Sequence, residues 1–147
     1  MILLSTMSHA GGALIQPATG PRFQAMAMGY DHSAMINASG QLYTSGNQNY
    51  GKCGNGVDAN DTAWTKQFVT LPAAAIQVSV SRYGTSVLLN DNTVRFFGGG
   101  SFNNVRGDGS TSDTATPIEP NNNDNAACVA LGRYGHLILK KTGALYG

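Results

Sequence analysis

The chain has 147 residues, enough for one domain core of ordinary size, and only 12% of them are charged, with a net charge of +1. No run of basic residues occurs, so nucleic acid is not expected as a partner. No apolar run is long enough to span a membrane and the start lacks the features of a signal peptide, so no membrane partner is expected either.

The 19 glycines, together with many Asn, Ser and Thr residues, indicate an all-β protein rich in turns. Such a weakly charged, polar composition is common in secreted and in virion structural proteins. The composition alone leaves the location of the protein unknown, and a virus particle becomes the favoured setting only together with the unclosed fold predicted below.

Residues 1–22 form an N-terminal arm without a hydrophobic period, rich in small residues and interrupted by Gly and Pro. One interpretation is a flexible arm. The other is an arm ordered by a partner, in which it adds a strand to a neighbouring sheet edge. The candidate partner-binding residues are the apolar stretch Ala13, Leu14, Ile15 and Gln16.

Short strands follow the arm. Residues 25–28, 33–37 and 41–44 are runs separated by Gly, Asn, Asp and Ser, which predicts three strands joined by tight turns. A fourth strand is predicted over 64–71. No segment has the length and the 3.6-residue period of an amphipathic helix.

The same pattern returns twice. Gly29 and Gly40 lie eleven residues apart, and Gly132 and Gly143 repeat that spacing. In the middle copy Ser81 and Asn92 occupy the two glycine places. Asn can take the second place because it tolerates a positive φ better than most residues. The copies begin 52 and then 51 residues apart, which is the period of a repeat fold.

The repeats predict a propeller. Four short antiparallel strands in about 50 residues are typical of a propeller blade. The predicted divisions are blade 1 at 23–74, blade 2 at 75–126, with its fourth strand at 114–118, and a partial blade 3 at 127–147. Two blades and a part do not close a ring, and a blade needs a neighbour on each face.

Specific motifs accompany the period. Residues 29–33 are Gly-Tyr-Asp-His-Ser, 40–43 are Gly-Gln-Leu-Tyr, 143–146 are Gly-Ala-Leu-Tyr, and 51–56 are Gly-Lys-Cys-Gly-Asn-Gly. These motifs resemble the repeat of the regulator of chromosome condensation family. A kelch repeat has a similar period and a double Gly, but the Gly-x-Gly loop counts against it. The resemblance implies a propeller of about seven blades and either nucleotide exchange on a small GTPase or an interaction scaffold.

The resemblance also marks the residues that define the repeat. These structural positions are Gly29, His32, Gly40, Tyr43, Gly46, Gly54, Gly56, Gly98, Gly107, Gly109, Gly132, Gly143 and Tyr146.

Candidate chemistry is sparse. His32 and His136 lie beside equivalent turns, and both are expected to be buried or half-buried and bonded to loop carbonyls. No Ser-His-Asp or paired-carboxylate pattern accompanies them, so no catalytic residue and no enzyme activity are predicted. The sequence contains no glycine-rich loop of the kind that binds nucleotide cofactors, and no Cys and His residues at the spacing of metal ligands. Cys53 and Cys128 are expected to be free and partly buried.

One tripeptide matches a known cell-adhesion sequence. Arg106-Gly107-Asp108 spells an integrin-recognition sequence. The repeat already accounts for its glycine, so a chance match is the favoured explanation.

The sequence thus predicts a non-enzymatic structural or interaction module of a large assembly. Its open blade faces are expected to be covered by protein partners or by further copies of itself. A virion component, such as a decoration, tail or fibre protein, is the favoured setting. The alternative is a regulatory propeller scaffold that acts as a guanine-nucleotide exchange factor or a signalling adaptor.

Overall fold

A computed structural model of the chain describes residues 23–60, 62–100 and 106–147. The N-terminal arm, including the candidate residues Ala13 to Gln16, lies outside the described residues. In this part of the chain eleven strands and one short 3-10 turn, Asn49–Gly51, are present. The strands are β1 Phe23–Met28, β2 His32–Asn37, β3 Leu42–Asn47, β4 Thr62–Val69, β5 Ala75–Val80, β6 Gly84–Leu89, β7 Val94–Gly98, β8 Thr114–Ile118, β9 Ala126–Leu131, β10 His136–Lys140 and β11 Leu145–Tyr146.

The strands form three antiparallel sheets, each in chain order: β1 to β4, β5 to β8, and β9 to β11. This architecture confirms the predicted all-β fold of two four-stranded blades and a partial third. The fourth strand of the first sheet begins and ends two residues earlier than predicted, whereas β8 has the predicted bounds. Among the described residues no helix could cross a membrane.

Blade 1 packs on blade 2 through alternate residues of its strands. His32, Ala34 and Ile36 are buried along β2, and the residues between them are half-buried. Ala34 and Ile36 join Val87 and Leu89 of β6 in one apolar cluster. We call the side of each sheet equivalent to Ala34 and Ile36 its leading face, and the opposite side its trailing face.

Blade 2 presents its own leading face to blade 3. Leu88 and Val94 of blade 2 pack with Val129 and Ile138 of blade 3 in a second apolar cluster. Because one blade covers each side, all six residues of β6 are buried. Each junction therefore pairs a leading face with a trailing face.

The leading face of blade 3 is uncovered within the described residues. Leu137, Leu139 and Leu145 are 46%, 40% and 62% exposed. They occupy the repeat places of Ala34, Ile36 and Leu42, which blade 2 buries. Blade 3 consequently carries the apolar pattern of a blade junction without the neighbour that would cover it.

Candidate functional site

The turns that join the first two strands of each blade lie at one end of the sheets. We call this end the turn rim and define it as residues 29–31, 81–83 and 132–135, together with 48–52, which follow β3 at the same end. The placement follows from the antiparallel register, because His32 at the start of β2 pairs with Gly46 near the end of β3. The repeat period therefore brings equivalent turns of three blades side by side.

Tyrosine and arginine side chains form a ladder along the turn rim. The Arg82 guanidinium lies 4.7 Å from the ring centroid of Tyr30 and 5.3 Å from that of Tyr83. Tyr83 stacks on Tyr134 with 6.3 Å between ring centroids, and Arg133 lies 4.7 Å from the Tyr134 ring. Such contacts are favourable because a cation is attracted to the negative face of an aromatic ring. The ladder runs across all three blades.

A cleft of about 290 Å³ opens on the rim between blades 1 and 2. Asp31 and Lys52 lie on its wall, with 2.8 Å between Nζ and each carboxylate oxygen. Lys52 is almost fully buried, so this pairing offsets the cost of removing the ammonium from water. Tyr50, also on the wall, has a left-handed backbone with φ 66° and meets the Tyr83 ring edge-on.

His32 joins blade 1 to blade 2 beneath the cleft. Its Nε2 lies 2.9 Å from the Thr85 hydroxyl oxygen, and that hydroxyl donates to the Lys52 carbonyl at 3.1 Å. A hydroxyl has one proton to donate, so His32 Nε2 must carry the proton of the shared hydrogen bond. The prediction of loop-carbonyl partners for His32 was wrong, because the buried ring reaches a hydroxyl of the neighbouring blade.

The electrostatics of His32 follow from this position. Burial, assisted by the Lys52 charge, lowers the pKa of His32 from 6.5 to about 4 even though Asp31 opposes the shift. Its Nδ1 lies 3.7 Å from the Asp31 carboxylate and has no hydrogen-bond partner among the described residues. The neutral ring is therefore held by a single hydrogen bond.

His136 makes the matching contact from the other side of blade 2. Its Nε2 lies 2.8 Å from the Ser86 hydroxyl oxygen, so its partner too is a hydroxyl and not the predicted carbonyl. Burial lowers the pKa of His136 to about 4. Adjacent residues of a strand point to opposite faces, so Thr85 and Ser86 face blades 1 and 3. The one-residue offset between His32 and His136 in the repeat places both rings against the middle blade.

The structure also brings together three residues that the sequence did not associate. Asp31, His32 and Thr85 follow one another in the order of a catalytic triad. Thr85 is fully buried, however, and its proton is donated to a backbone carbonyl. A nucleophile needs a substrate within reach and a base that accepts its proton, and neither condition holds here. Only pairing across the blade junction could have revealed this cluster.

The glycines of the repeat lie mostly where the backbone is left-handed. Gly46 and Gly98, equivalent in the repeat, have φ 120° and 128°, and an added Cβ would come within 2.5 Å and 2.4 Å of a carbonyl oxygen at the rim. Gly29 differs, because its added Cβ would meet the Ser81 carbonyl oxygen of blade 2 at 2.2 Å. The remaining predicted glycines with positive φ are Gly40, Gly54, Gly56, Gly107, Gly109 and Gly143, whereas Gly132 is not among them.

The other predicted positions are spread over the surface. Tyr43 packs on Phe68, with ring centroids 5.6 Å apart, on the trailing face of blade 1, and Tyr146 is 41% exposed on β11. Cys53 is buried, Cys128 is half-buried, and both are free thiols. Within the described ranges no three His, Cys, Asp or Glu side chains are grouped to hold a metal ion.

The integrin-type tripeptide is folded onto itself. The Arg106 guanidinium pairs with Asp108 at 2.7 Å, and its side chain is only 12% exposed. It also donates to the Ser112 carbonyl at 2.8 Å. These contacts occupy both charged groups and favour the interpretation of a chance match.

Known proteins share this sequence pattern and this fold. A family model for the regulator of chromosome condensation (RCC1) repeat matches residues 23–52. The E3 ubiquitin-protein ligase HERC2 of Homo sapiens and that of Mus musculus are each 30% identical over 136 residues, which is 90% of this chain and 3% of those proteins. The chain thus spans a very small part of these relatives.

Solved structures agree on the architecture. Human WBSCR16 superposes with a TM-score of 0.75 at 16% identity, over 88% of this chain and 33% of that one. Yeast RCC1 (Prp20) bound to Kap60 gives 0.74 at 17% identity, over 85% and 31%. Prp20p from Saccharomyces cerevisiae, whose structure was described with its binding properties to Gsp1p and histones, gives 0.70 at 18% identity, over 85% and 32%.

Proposed function

Because this chain is built from repeats of the regulator of chromosome condensation type, we propose that it is a non-enzymatic protein-interaction module of a larger assembly. One observation carries the proposal. The leading face of blade 3 exposes Leu137, Leu139 and Leu145, whose repeat equivalents are buried at both blade junctions. An exposed apolar face of this kind is typical of a protein-binding surface.

The non-enzymatic part is supported by the burial of the chemically capable groups. The two histidines bond hydroxyls inside blade junctions, and Thr85 beside His32 is fully buried. The Asp31 carboxylate is already paired with Lys52. A substrate would have to separate two blades to reach the two histidines or Thr85.

The test is a measurement of solution size with polar variants. We expect the purified chain to associate as its concentration rises, and the double variant Leu137→Ser, Leu139→Ser to stay monomeric and to bind less of a hydrophobic dye. The matched control is Val57→Ser, which removes an apolar side chain that is 41% exposed away from this face. A stable, soluble monomer whose dye binding is the same in all variants contradicts the proposal.

The two specific roles considered for this module, a virion component and a regulatory scaffold, are not equally well supported. None of the relatives reported above is a virion protein, so a virus particle as the setting is supported only by the composition and by the open, unclosed set of blades. A regulatory scaffold has more in its favour, because the solved relative Prp20p was described with its binding to Gsp1p and histones. Mixing the chain with a small GTPase loaded with labelled GDP tests the exchange activity, and unchanged release of the label would argue against it.

A further inference from the structure

We propose that the turn rim binds an acidic segment of a partner protein in an extended conformation. This site is distinct from the open leading face of blade 3. Its core is the ladder Tyr30, Arg82, Tyr83 and Tyr134, with Arg133 at the far end.

The two rim arginines differ from the other arginines of the described chain, because Arg95 and Arg106 each pair with a carboxylate. Lys52 and Lys140 pair in the same way, and these four contacts measure 2.6 to 2.8 Å. Arg82 and Arg133 form no ion pair with a carboxylate in the part of the chain that the structure describes, and lie instead against tyrosine rings. A guanidinium stacked on a ring keeps its N–H groups in the plane, where they can hold a carboxylate through two hydrogen bonds.

The repeat places these two arginines at equivalent positions of blades 2 and 3. Arg82-Tyr83-Gly84 and Arg133-Tyr134-Gly135 are the same tripeptide, 51 residues apart. The side chain of Arg133 also bonds that of Tyr83, which ties the two tripeptides together. The donors are thereby held in a fixed relation before a ligand arrives, which reduces the entropy lost on binding.

The tyrosines contribute an apolar surface. Tyr30 is 74% exposed and Tyr134 is 48% exposed, although both rings lie on turns, where small polar residues are usual. Their rings add little to the core at this exposure. Tyr and Arg are among the residue types enriched at the few positions that carry most of the binding energy of protein interfaces.

Charge selects the class of partner. The one carboxylate on the rim, Asp31, is neutralised by Lys52. Arg82 and Arg133 pair with no carboxylate among the described residues, and two guanidinium groups match the charge of a short acidic segment. Stable binding to a nucleic acid depends on neutralising many phosphates, which this rim and a net charge of +1 do not provide. An acidic peptide is therefore the better match.

The experiment uses a fluorescent peptide of alternating Glu and Ser as the probe, the same peptide with Gln for Glu, and labelled oligothymidylate. We expect the chain to bind the Glu peptide in preference to the other two, and the double variant Arg82→Gln, Arg133→Gln to weaken that binding by about 10-fold or more. The variant Arg82→Lys, Arg133→Lys keeps the charge but loses the planar fork, so it should bind with intermediate affinity.

The matched control is Lys66→Gln, Lys141→Gln, which removes the same charge away from the rim and should bind as the unchanged chain does. Near-ultraviolet circular dichroism checks that each variant is folded. Equal binding of the Glu and Gln peptides would overturn the proposal, as would tighter binding of oligothymidylate. An equal loss of affinity for the Glu peptide in the rim variant and in the lysine control would overturn it too. The rim variants should leave solution size unchanged, so failure here leaves the open leading face of blade 3 unaffected.

Discussion

The middle and last blades share one strand pattern but differ in what covers it. Leu88 of β6 and Leu139 of β10 occupy the same place in the repeat, yet Leu88 is 3% exposed and Leu139 is 40% exposed. Side chains alternate between the two faces in both strands, and the difference comes from the neighbouring blade that covers blade 2 and has no counterpart on blade 3 among the described residues. The repeat thus specifies which residues face a junction, while an adjacent blade decides whether they are buried.

The largest expected effect tests this difference directly. Leu88→Ala should lower the free energy of unfolding by about 2–5 kcal/mol, because the truncation leaves a cavity between blades 2 and 3. Leu139→Ala should cost much less, since its side chain is already in contact with solvent. Urea titration followed by circular dichroism measures both, and equal losses would show that the two blades are covered alike.

The next effect depends on pH and involves both junctions. The unfolded histidines take up a proton near pH 6.5, whereas His32 and His136 do so only near pH 4 in the fold. The unfolded state therefore binds more protons between these values, and stability falls as the pH drops through this window. At pH 5 each histidine should remove about 2 kcal/mol relative to neutral pH, with no change above pH 7.5.

The double variant His32→Gln, His136→Gln isolates this effect, because glutamine can bond a hydroxyl but does not titrate. Its stability should change far less between pH 7.5 and pH 5. The hydrogen bond from Thr93 lowers the pKa of Asp91, and the hydrogen bond from Lys140 lowers that of Asp124. The stability that these two carboxylates contribute is lost only below about pH 3.8, which lies outside the range from pH 7.5 to pH 5. A slope that persists in the double variant would assign the pH dependence to other groups.

A smaller effect concerns the hydroxyl that joins blades 1 and 2. Thr85→Val keeps the shape of the side chain but leaves His32 Nε2 and the Lys52 carbonyl without their partner. Stranding buried polar groups costs about 1–3 kcal/mol. The comparison is Ser33→Ala, at the equivalent place in blade 1, where the hydroxyl is only half-buried. If Thr85→Val loses no more unfolding free energy than Ser33→Ala, this hydrogen bond does not stabilise the junction.

The sequence predicted the parts of the fold that depend on local pattern. Strands and turns came from short apolar runs between Gly, Asn and Ser, and the blade count came from the period. The partners of His32 and His136 were wrong because they lie about 50 residues away, across blade junctions, and the repeat gives no pairing between blades. The ladder was missed for a similar reason. Tyr30, Arg82 and Tyr134 become neighbours only when three turns meet at one rim.

The smallest predicted effect concerns one turn in which the middle blade departs from its neighbours. Asn92 stands where blades 1 and 3 have Gly40 and Gly143, and its φ of 66° is left-handed, as predicted from the sequence. Asn92→Gly should change the free energy of unfolding by no more than about 0.5 kcal/mol, because glycine accepts this φ but adds freedom to the unfolded chain. Asn92→Ala should cost about 1 kcal/mol, since its Cβ meets the strain that asparagine tolerates better. Equal stability of the Ala and Gly variants, measured by thermal unfolding, would mean that the turn relaxes out of the left-handed region and that the glycines of blades 1 and 3 are not required there by φ alone.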